Sequence, residues 1–570
     1  MLNKHLSKIF VYPSESIKTV IQKLAANKPG KTMVPQGMIL VVDKDNKLVG
    51  IATDGDIRRA LSHGISLDSS ISKIVNKKPF VIEGPKTNME IMSLVAEKNR
   101  KEGWRDNRLS KIIVVDKNRR VVDLVSFYDL WQRSDVRFKQ IGVVGLGYVG
   151  LTLALTLADL GFQARGFDIN KNVRLSLVRG KPHFFEEGIK QILKDNLNKN
   201  FWVVDNFSGD NNCDVYFIAV GTPLRINKEP DLNFLKDAAE RIGKVLKSGD
   251  SVILRSTVPV GTTRNFVIPL LEKRSGLKAG KDFFVAFAPE RTIEGRALKE
   301  LRTLPQVIGG FDKSSVDLAA SVFNHMTHST VLVDSLEEAE VVKLINNSYR
   351  DVHFAFANEL SLMCHQLGID THRVIEAANR GYERSNVPLP SPGVGGACLE
   401  KDPYIFLNST KNQGLSLVRH ARTVSDKMVD FVSDTTSAFL KDKVPAVKNP
   451  KVLVLGFAFK GRPVTSDMRG STTILLVKRL QKFTKNIYGY DLAVKRSDIS
   501  TLKVKPVFDI KKGFEDANAV IVMNNNPAFE ELNIRQLLSF TNRPCLLFDT
   551  WGLYPTEEIK KVRHVNHKRL

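Results

Sequence analysis

The chain reads as an α/β protein: a repeated small module at the N-terminus, then two doubly wound units joined by one long central helix. Three observations predict this. A block of strand, charged turn, strand and helix start occurs twice before residue 130. An apolar strand at 140–144 runs into Gly145-Leu-Gly-Tyr-Val-Gly150, and a second strand with a glycine turn, Lys451 to Lys460, follows far downstream. Between them, Leu336 to Leu367 keeps apolar residues at three- and four-residue steps, the period of a helix. The implied domains are 1–135, 138–334, 335–440 and 441–570, about the number that the chain length supports.

Bulk composition narrows the function classes. A hydrophobic content of 42% is ordinary for a soluble globular protein. The N-terminus carries no signal-peptide pattern. Leu151 to Leu160 falls short of the roughly 18 residues a membrane span needs, so a cytoplasmic protein is expected. The four cysteines lie far apart with no paired spacing, which argues for a reducing compartment and against disulfides or a bound metal. The formal charge of +24 raises nucleic acid as a partner. The basic residues are spread along the chain, however, with one modest cluster (Lys560, Lys561, Arg563, Lys568, Arg569) and no interleaved aromatics. A lysine-rich surface around sites for acidic nucleotides is the expectation, without nucleic acid.

The first repeat, Val41-Val-Asp-Lys-Asp-Asn-Lys-Leu-Val-Gly-Ile-Ala-Thr-Asp-Gly-Asp56, is echoed by Val114-Val-Asp-Lys-Asn-Arg-Arg-Val-Val-Asp-Leu-Val-Ser-Phe-Tyr-Asp129. Two copies of one supersecondary unit packed together are expected. Thr53 with Asp56, and Ser126 with Asp129, set a hydroxyl and a carboxylate three residues apart at a helix start. Such pairs either grip phosphate and ribose hydroxyls or act as capping boxes for their own helices. The repeat resembles a CBS-domain pair, in which those positions bind nucleotide. The resemblance implies an adenine nucleotide as regulator, or a role in assembly.

Gln140 to Val144 followed by Gly145, Gly147 and Gly150, a helix to Gly161 and a strand ending on Asp168 is the order of a dinucleotide site. The glycines admit a pyrophosphate to a helix N-terminus. Asp168 would take the ribose hydroxyls and repel a 2′-phosphate, which favours NAD. Three more strands end in polar residues: Gly221-Thr-Pro223, Arg255-Ser-Thr-Val-Pro-Val-Gly261 and Pro289-Glu290-Arg-Thr-Ile-Glu294. Open α/β sheets place ligands at such strand ends.

On the long helix, Lys343 and Asn347 sit four residues apart and face the same way. Lys343 is either solvated or, among Val341, Val342, Leu344 and Ile345, buried enough to tune its acidity. Next comes Pro392-Gly-Val-Gly-Gly-Ala-Cys-Leu-Glu-Lys-Asp-Pro-Tyr404. Asp402 and Pro403 read as N-cap and first helical position, which puts Cys398 one turn ahead of a helix N-terminus beside Lys401. Those neighbours would favour a thiolate; the plainer alternative is a buried cysteine in a glycine turn. In the last unit, Lys460 and Arg469 either bind phosphate or are ordinary surface cations.

Residues 140 to about 560 resemble the UDP-sugar 6-dehydrogenase family. The matching pieces are Gly145–Gly150, Val220-Gly-Thr-Pro223, Ser256-Thr-Val-Pro-Val260, Ala288-Pro-Glu290, Lys343-Leu-Ile-Asn-Asn347, Gly395-Gly-Ala-Cys-Leu-Glu-Lys-Asp402 and Gly456-Phe-Ala-Phe-Lys460 with Asp467-Met-Arg469. The resemblance implies two Rossmann-like domains and NAD-dependent oxidation of a sugar C6 hydroxyl to a uronic acid for surface polysaccharide precursors. It implies Cys398 as nucleophile and Lys343 as oxyanion stabiliser and proton handler. Asp402 with Thr257 would activate water, Glu290 would assist thioester hydrolysis, and Asn347 would hold the sugar. Thr222, Glu294 and Arg469 fall on the cofactor side; Gly395 and Lys460 fall on the substrate side. Arg384 resembles an arginine that reaches a neighbouring subunit's substrate, which implies at least a dimer.

The departures concern the sugar. UDP-glucose enzymes of the family read Gly-Gly-Ser-Cys-Phe where this chain has Gly395-Gly-Ala-Cys-Leu399. The surrounding run is nearer the N-acetylhexosamine branch, although Ala397 replaces a histidine common there. Val173 stands where a basic residue is expected after Asp168, with Arg174 adjacent. A UDP-N-acetylhexosamine is the expected substrate. UDP-glucose oxidation and a non-catalytic nucleotide-sensing protein are the alternatives.

Overall fold

The computed structural model describes residues 6–26, 37–84, 94, 111–126, 139–384, 386–410 and 414–570. The chain separates into two compact units, Met1–Phe138 and Lys139–Leu570.

In the first unit, β1 (Phe10–Val11), β2 (Met38–Val42) and β3 (Leu48–Thr53) form one sheet; β4 (Val81–Glu83), β5 (Lys111–Val115) and β6 (Val121–Ser126) form a second. The two hairpins match in detail. Both shift register late in their first strand, at Val41/Val42 and at Val114/Val115. In both turns an aspartate folds back on the backbone. Asp43 Oδ1 accepts the N–H groups of Asp45 and Lys47 (2.9 and 2.9 Å), and Asp116 Oδ1 those of Asn118 and Arg120 (2.8 and 2.8 Å). The turns also bond to each other, through Leu48 N–H to Arg119 O at 2.9 Å and Val121 N–H to Asn46 O at 3.2 Å. One apolar cluster, including Leu40, Val42, Leu48, Ile113, Val115 and Leu124, draws on both copies. Helix α1 (Ile17–Ala26) and helix α2 (Asp54–Ser62), which follows β3, belong to the first copy.

The second unit holds two parallel-rich sheets. The first has eight strands: β7 (Gln140–Val144), β8 (Gln163–Phe167), β9 (Phe201–Val203), β10 (Val215–Ile218), β11 (Ser251–Leu254), β12 (Phe284–Phe287), β13 (Gln306–Gly310) and β14 (Thr330–Leu332). Their order is β14-β13-β12-β11-β10-β7-β8-β9, and β12–β13 is the one antiparallel pair. The central strands β10, β11 and β12 are nearly continuous apolar, buried runs because both faces are covered there, as parallel sheets require. The order turns back at β7/β10, which opens a crevice at the strand ends after Val144 and Ile218. Helix α3 (Tyr148–Asp159) starts in it and is buried from Gly150 to Ala158.

Helix α4 (Leu336–Leu367) spans about 48 Å at the usual helical rise. Ser335 caps its start by accepting the Glu338 N–H at 3.1 Å, and Gly368, at φ 67°, ends it in the left-handed region. Two further helices, α5 (Asp402–Ser409) and α6 (Ser416–Lys443), pack on α4.

The second sheet comprises β15 (Val452–Leu455), β16 (Ile487–Tyr490), β17 (Lys505–Pro506), β18 (Ala519–Val522), β19 (Cys545–Asp549) and β20 (Val565–Arg569). Its order, β17-β16-β15-β18-β19-β20, repeats the plan of the first, with its own crevice at β15/β18. Among the described residues, no helix is long and apolar enough to cross a membrane. All four cysteines are unpaired.

Candidate active site

The site is assembled from loops at the ends of both parallel sheets and from the central helices between them. On the dinucleotide side, Gly145 lies at φ 92°, and a Cβ on Gly150 would stand 1.8 Å from Gly145 O. Above Gly147, at the N-terminus of α3, there is open space. That space and the free helix start fit a pyrophosphate, so the residues present suit a dinucleotide. Asp168 Oδ2 accepts the Leu146 N–H at 2.8 Å, which ties the carboxylate to the glycine loop. Arg174, beside the expected basic position, donates to Asp168 O at 2.6 Å and pairs with Asp205 at 3.0 Å.

The strand-end loops brace one another. Thr222 Oγ1 donates to Thr257 O at 2.6 Å, and Ser256 Oγ to Val220 O at 2.7 Å. Glu290 is buried against Arg255, and its other oxygen accepts the N–H groups of Arg291 and Thr292 at 2.8 Å each. Burial works to raise the Glu290 carboxyl, but Arg255, the Thr292 N–H and Lys343 outweigh it and hold the group below its usual range. Glu290 therefore stays ionised, with its oxygens committed.

Helix α4 contributes Lys343 and Asn347, both 8% exposed, on one buried face. Lys343 is thus the buried, not the solvated, lysine of the two readings. Asn347 Nδ2 donates to Asp402 Oδ2 at 2.6 Å, and Lys401 Nζ to Asp402 Oδ1 at 2.7 Å, with Asp402 fully buried.

Two expectations for the cysteine loop are corrected. Asp402 is not the N-cap: Lys401 is, and the N–H groups of Lys401 and Asp402 bond to Cys398 O at 3.1 and 2.9 Å. A helical turn already precedes α5, so its first donors face a carbonyl and not the thiol. Nor is the thiol shifted toward thiolate. Cys398 touches water, yet the protein crowding its flanks and the Asp402 carboxylate push it up, against the opposing charges of Lys343 and Lys401. The loop is held by Gly396 N–H to Gly470 O at 3.0 Å, and by Arg422, which reaches Val394 O and Leu399 O at 3.4 and 3.3 Å from a buried pair with Asp351. A Cβ on Gly395 would stand 2.3 Å from Gly470 O, so the loop runs tight against the second sheet's side of the cleft.

From that side, Lys460 Nζ donates to Glu294 O at 2.8 Å, and Arg469 pairs with Asp467 and, at 3.7 Å, with Glu294. Lys460, Arg469 and Glu294 all lie within electrostatic reach of Cys398. The structure thus brings residues expected on the cofactor and substrate sides into one cluster. Arg384 is different. It is exposed in the turn after the helix Thr371–Asn379 and, among the described residues, forms no ion pair. Thr53 and Asp56 lie in the first unit, where they form a capping box: Asp56 Oδ2 accepts from Thr53 N–H (2.9 Å) and Oγ1 (2.7 Å), and Arg59 pairs with Asp56 as well. Ser126 ends β6, and Asp129 lies outside the described residues.

Several residues of the site escaped the sequence reading. Arg255 was visible only as the first residue after a strand. Glu340 is a buried carboxylate on α4 that accepts from Gly261 N–H (2.5 Å), Thr263 N–H (2.8 Å) and Thr263 Oγ1 (2.6 Å), anchoring the loop that carries Thr257. Nothing in the local pattern marks it. Tyr148 and Glu186 hydrogen-bond to each other and share the Gly295 N–H at 2.8 and 2.7 Å.

Burial, with Asp467 next, pushes the Glu294 carboxyl up to about 7, against Arg469 and Lys460. The native state then holds a proton that the unfolded chain releases near pH 4.5. This contribution to stability is complete below that value and is lost as pH rises through about 7. Glu294→Gln should therefore lose less thermal stability than the parent between pH 5 and 8. Parallel melting curves at those two pH values check this, and equal losses would exclude a titrating Glu294.

Three models of the UDP-glucose/GDP-mannose dehydrogenase family match in order: the NAD binding domain at 139–327, the central domain at 337–427 and the UDP binding domain at 453–556. A CBS domain model matches 6–63. A UDP-N-acetyl-D-mannosamine dehydrogenase of Pyrococcus horikoshii is 34% identical over 395 residues, covering 69% of this chain and 91% of the relative. A UDP-N-acetyl-D-glucosamine 6-dehydrogenase of Salmonella typhi is 30% identical, covering 74% and 97%. Among solved structures, the UDP-D-ManNAc dehydrogenase from Pyrococcus horikoshii superposes with a TM-score of 0.68 at 31% identity, over 75% of this chain and 98% of that one. A UDP-glucose dehydrogenase from Pyrobaculum islandicum gives 0.65 at 27%, over 76% and 97%.

Proposed function

The chain belongs to the UDP-glucose/GDP-mannose dehydrogenase family, and from that premise we propose that this NAD-dependent UDP-sugar dehydrogenase oxidises the C6 hydroxyl of a UDP-N-acetylhexosamine to the uronic acid in a four-electron reaction. The carrying observation is the cluster of Cys398, Asp402, Asn347 and Lys343 between the two strand-end crevices. The bound dinucleotide supplies the hydride acceptor; the chain's residues do the rest.

Loss of one hydride and one proton from the C6 alcohol gives the aldehyde, with Lys343 placed to stabilise the oxyanion. Cys398 Sγ then adds to C6 as its proton departs, and a C–S bond forms. Loss of a second hydride from this thiohemiacetal gives a thioester. Water, positioned by Asp402 and Thr257, cleaves the C–S bond to free the carboxylate and return the thiol. One alcohol and one water thus yield one carboxylate, two hydrides and three protons. Glu290, ionised and bonded to Arg255, supports the hydrolysis through the local field. Lys460, Gly395 and Asn347 would hold the sugar nucleotide; Thr222, Glu294, Arg469 and Asp168 would line the cofactor side. The uronic acid would feed surface polysaccharide assembly in a reducing cytoplasm, where Cys398 remains a thiol.

A homo-oligomer, at least a dimer, belongs to the same reading. Ile345, Tyr349, Phe356, Met363 and Leu367 are exposed along α4 at steps of four and seven, a stripe suited to a second copy. A partner's Arg384 would complete each cleft. For the N-terminal repeats, a nucleotide-sensing or assembly role is proposed, with an adenine nucleotide at Thr53, Asp56, Ser126 and Asp129.

The test is NADH absorbance with UDP-N-acetylglucosamine, UDP-N-acetylmannosamine and UDP-glucose, each with and without AMP or ATP. Two NADH per sugar are expected, with an N-acetylhexosamine preferred. Preference for UDP-glucose would select the second reading, which the likeness to the Pyrobaculum structure keeps open. One NADH per sugar would exclude the four-electron course.

A further inference from the structure

We propose that the junction of the two N-terminal hairpin turns is a binding site for a multiply charged phosphate anion, such as tripolyphosphate or the phosphate chain of a nucleoside triphosphate. The site lies within the first unit and is distinct from the Thr53/Asp56 pair. A concavity of about 480 Å³ opens there, lined by Lys47, Lys77, Lys117 and Arg119 around a floor that includes Leu48 and Val49. Among the described residues, four cations and no carboxylate line it. Thr53 stands at the other end of β3, about 17 Å away at the usual rise per residue.

The two repeats diverge at this junction. The turns are structural equivalents, so Lys44, Asp45 and Asn46 of the first correspond to Lys117, Asn118 and Arg119 of the second. The second copy has lost one acid and gained one cation on the face that lines the concavity. Asn46 and Arg119 both sit at φ 60°. Asparagine tolerates that left-handed conformation, whereas arginine occupies it at a cost. The second turn thus accepts backbone strain to place a guanidinium among three lysines, and such strain persists where a ligand or function balances it. The turn acids Asp43 and Asp116 are not among the lining residues and are bonded to their own turns' backbone N–H groups. Four cationic side chains lining one concavity with a small apolar floor match a phosphate chain, whose oxygens accept from several directions at once.

The test uses the full chain with NAD and UDP at saturation, so that the dehydrogenase cleft is filled. Tripolyphosphate is titrated by calorimetry into the otherwise unaltered chain, and ATP into an Asp56→Ala background, where the separate nucleotide pair is removed. Both should bind, and a Lys47→Glu, Lys117→Glu double variant should weaken both by about tenfold or more, equivalent to about 1.4 kcal/mol. Asp56→Ala should leave tripolyphosphate binding unchanged. Arg119→Asn restores the first copy's turn and keeps the proposal testable should the double variant fold poorly. It should raise the melting temperature while weakening anion binding, a pairing of opposite signs that a merely structural arginine would not produce. Tighter ATP than tripolyphosphate would add a nucleoside contact, and equal affinities would assign binding to the phosphates alone. The proposal is overturned if no heat is seen, if the charge reversals leave binding intact, or if Asp56→Ala alone removes it.

Discussion

Cys398→Ser is expected to abolish uronate formation, a loss on the order of 10³-fold or more, while NAD binding survives. The first oxidation asks nothing of sulfur, so a single turnover should still release one hydride equivalent per site and stop at the aldehyde. The second oxidation needs a nucleophile that converts a carbonyl carbon back into a hydride donor and later leaves as an anion. A serine hydroxyl is a far weaker acid than a thiol, so it both adds and departs poorly. The surroundings sharpen this. The protein crowding its flanks and Asp402 already push the Cys398 thiol up, against the opposing charges of Lys343 and Lys401. A serine has no margin left for such an environment. Single-turnover absorbance with product analysis checks the result; full four-electron turnover in the variant would remove Cys398 from the mechanism.

Arg255→Met should cost about 3–5 kcal/mol of stability, because it strands the Glu290 carboxylate in a buried site. The Arg255 side chain is fully buried against Glu290, donates to Gln306 Oε1 at 3.1 Å, and lies 5.2 Å from the centre of the Phe323 ring. Removing one partner of such a pair costs more than replacing both, so adding Glu290→Gln should restore much of the loss. Denaturant midpoints of the single and double variants measure the difference. A single variant as stable as the parent would show that Glu290 is neutral or finds water instead.

The sequence alone determined the order of the elements and most of the residues now seen around the cleft. Periods of two and 3.6 residues, glycine turns and acids at strand ends are short-range signals, readable within a window of a few residues. The strand ending in Gly145–Gly150, the helix Leu336–Leu367 and the doubled hairpin were legible for that reason. The charge state of the site was not. Whether Cys398 is pushed toward or away from thiolate depends on Asp402, Lys343 and Lys401, which act on it together with desolvation. A one-residue change in where α5 begins turned its first donors onto a carbonyl and aimed Asp402 at Asn347. Glu340 and Arg255 carry no local signature, because their partners lie 77 and 35 residues away in the chain. Patterning along the chain decides which elements form and what they are able to carry. Through-space burial and charge, which only the tertiary structure brings together, decide which of those groups are ionised, which are committed, and which are left to react.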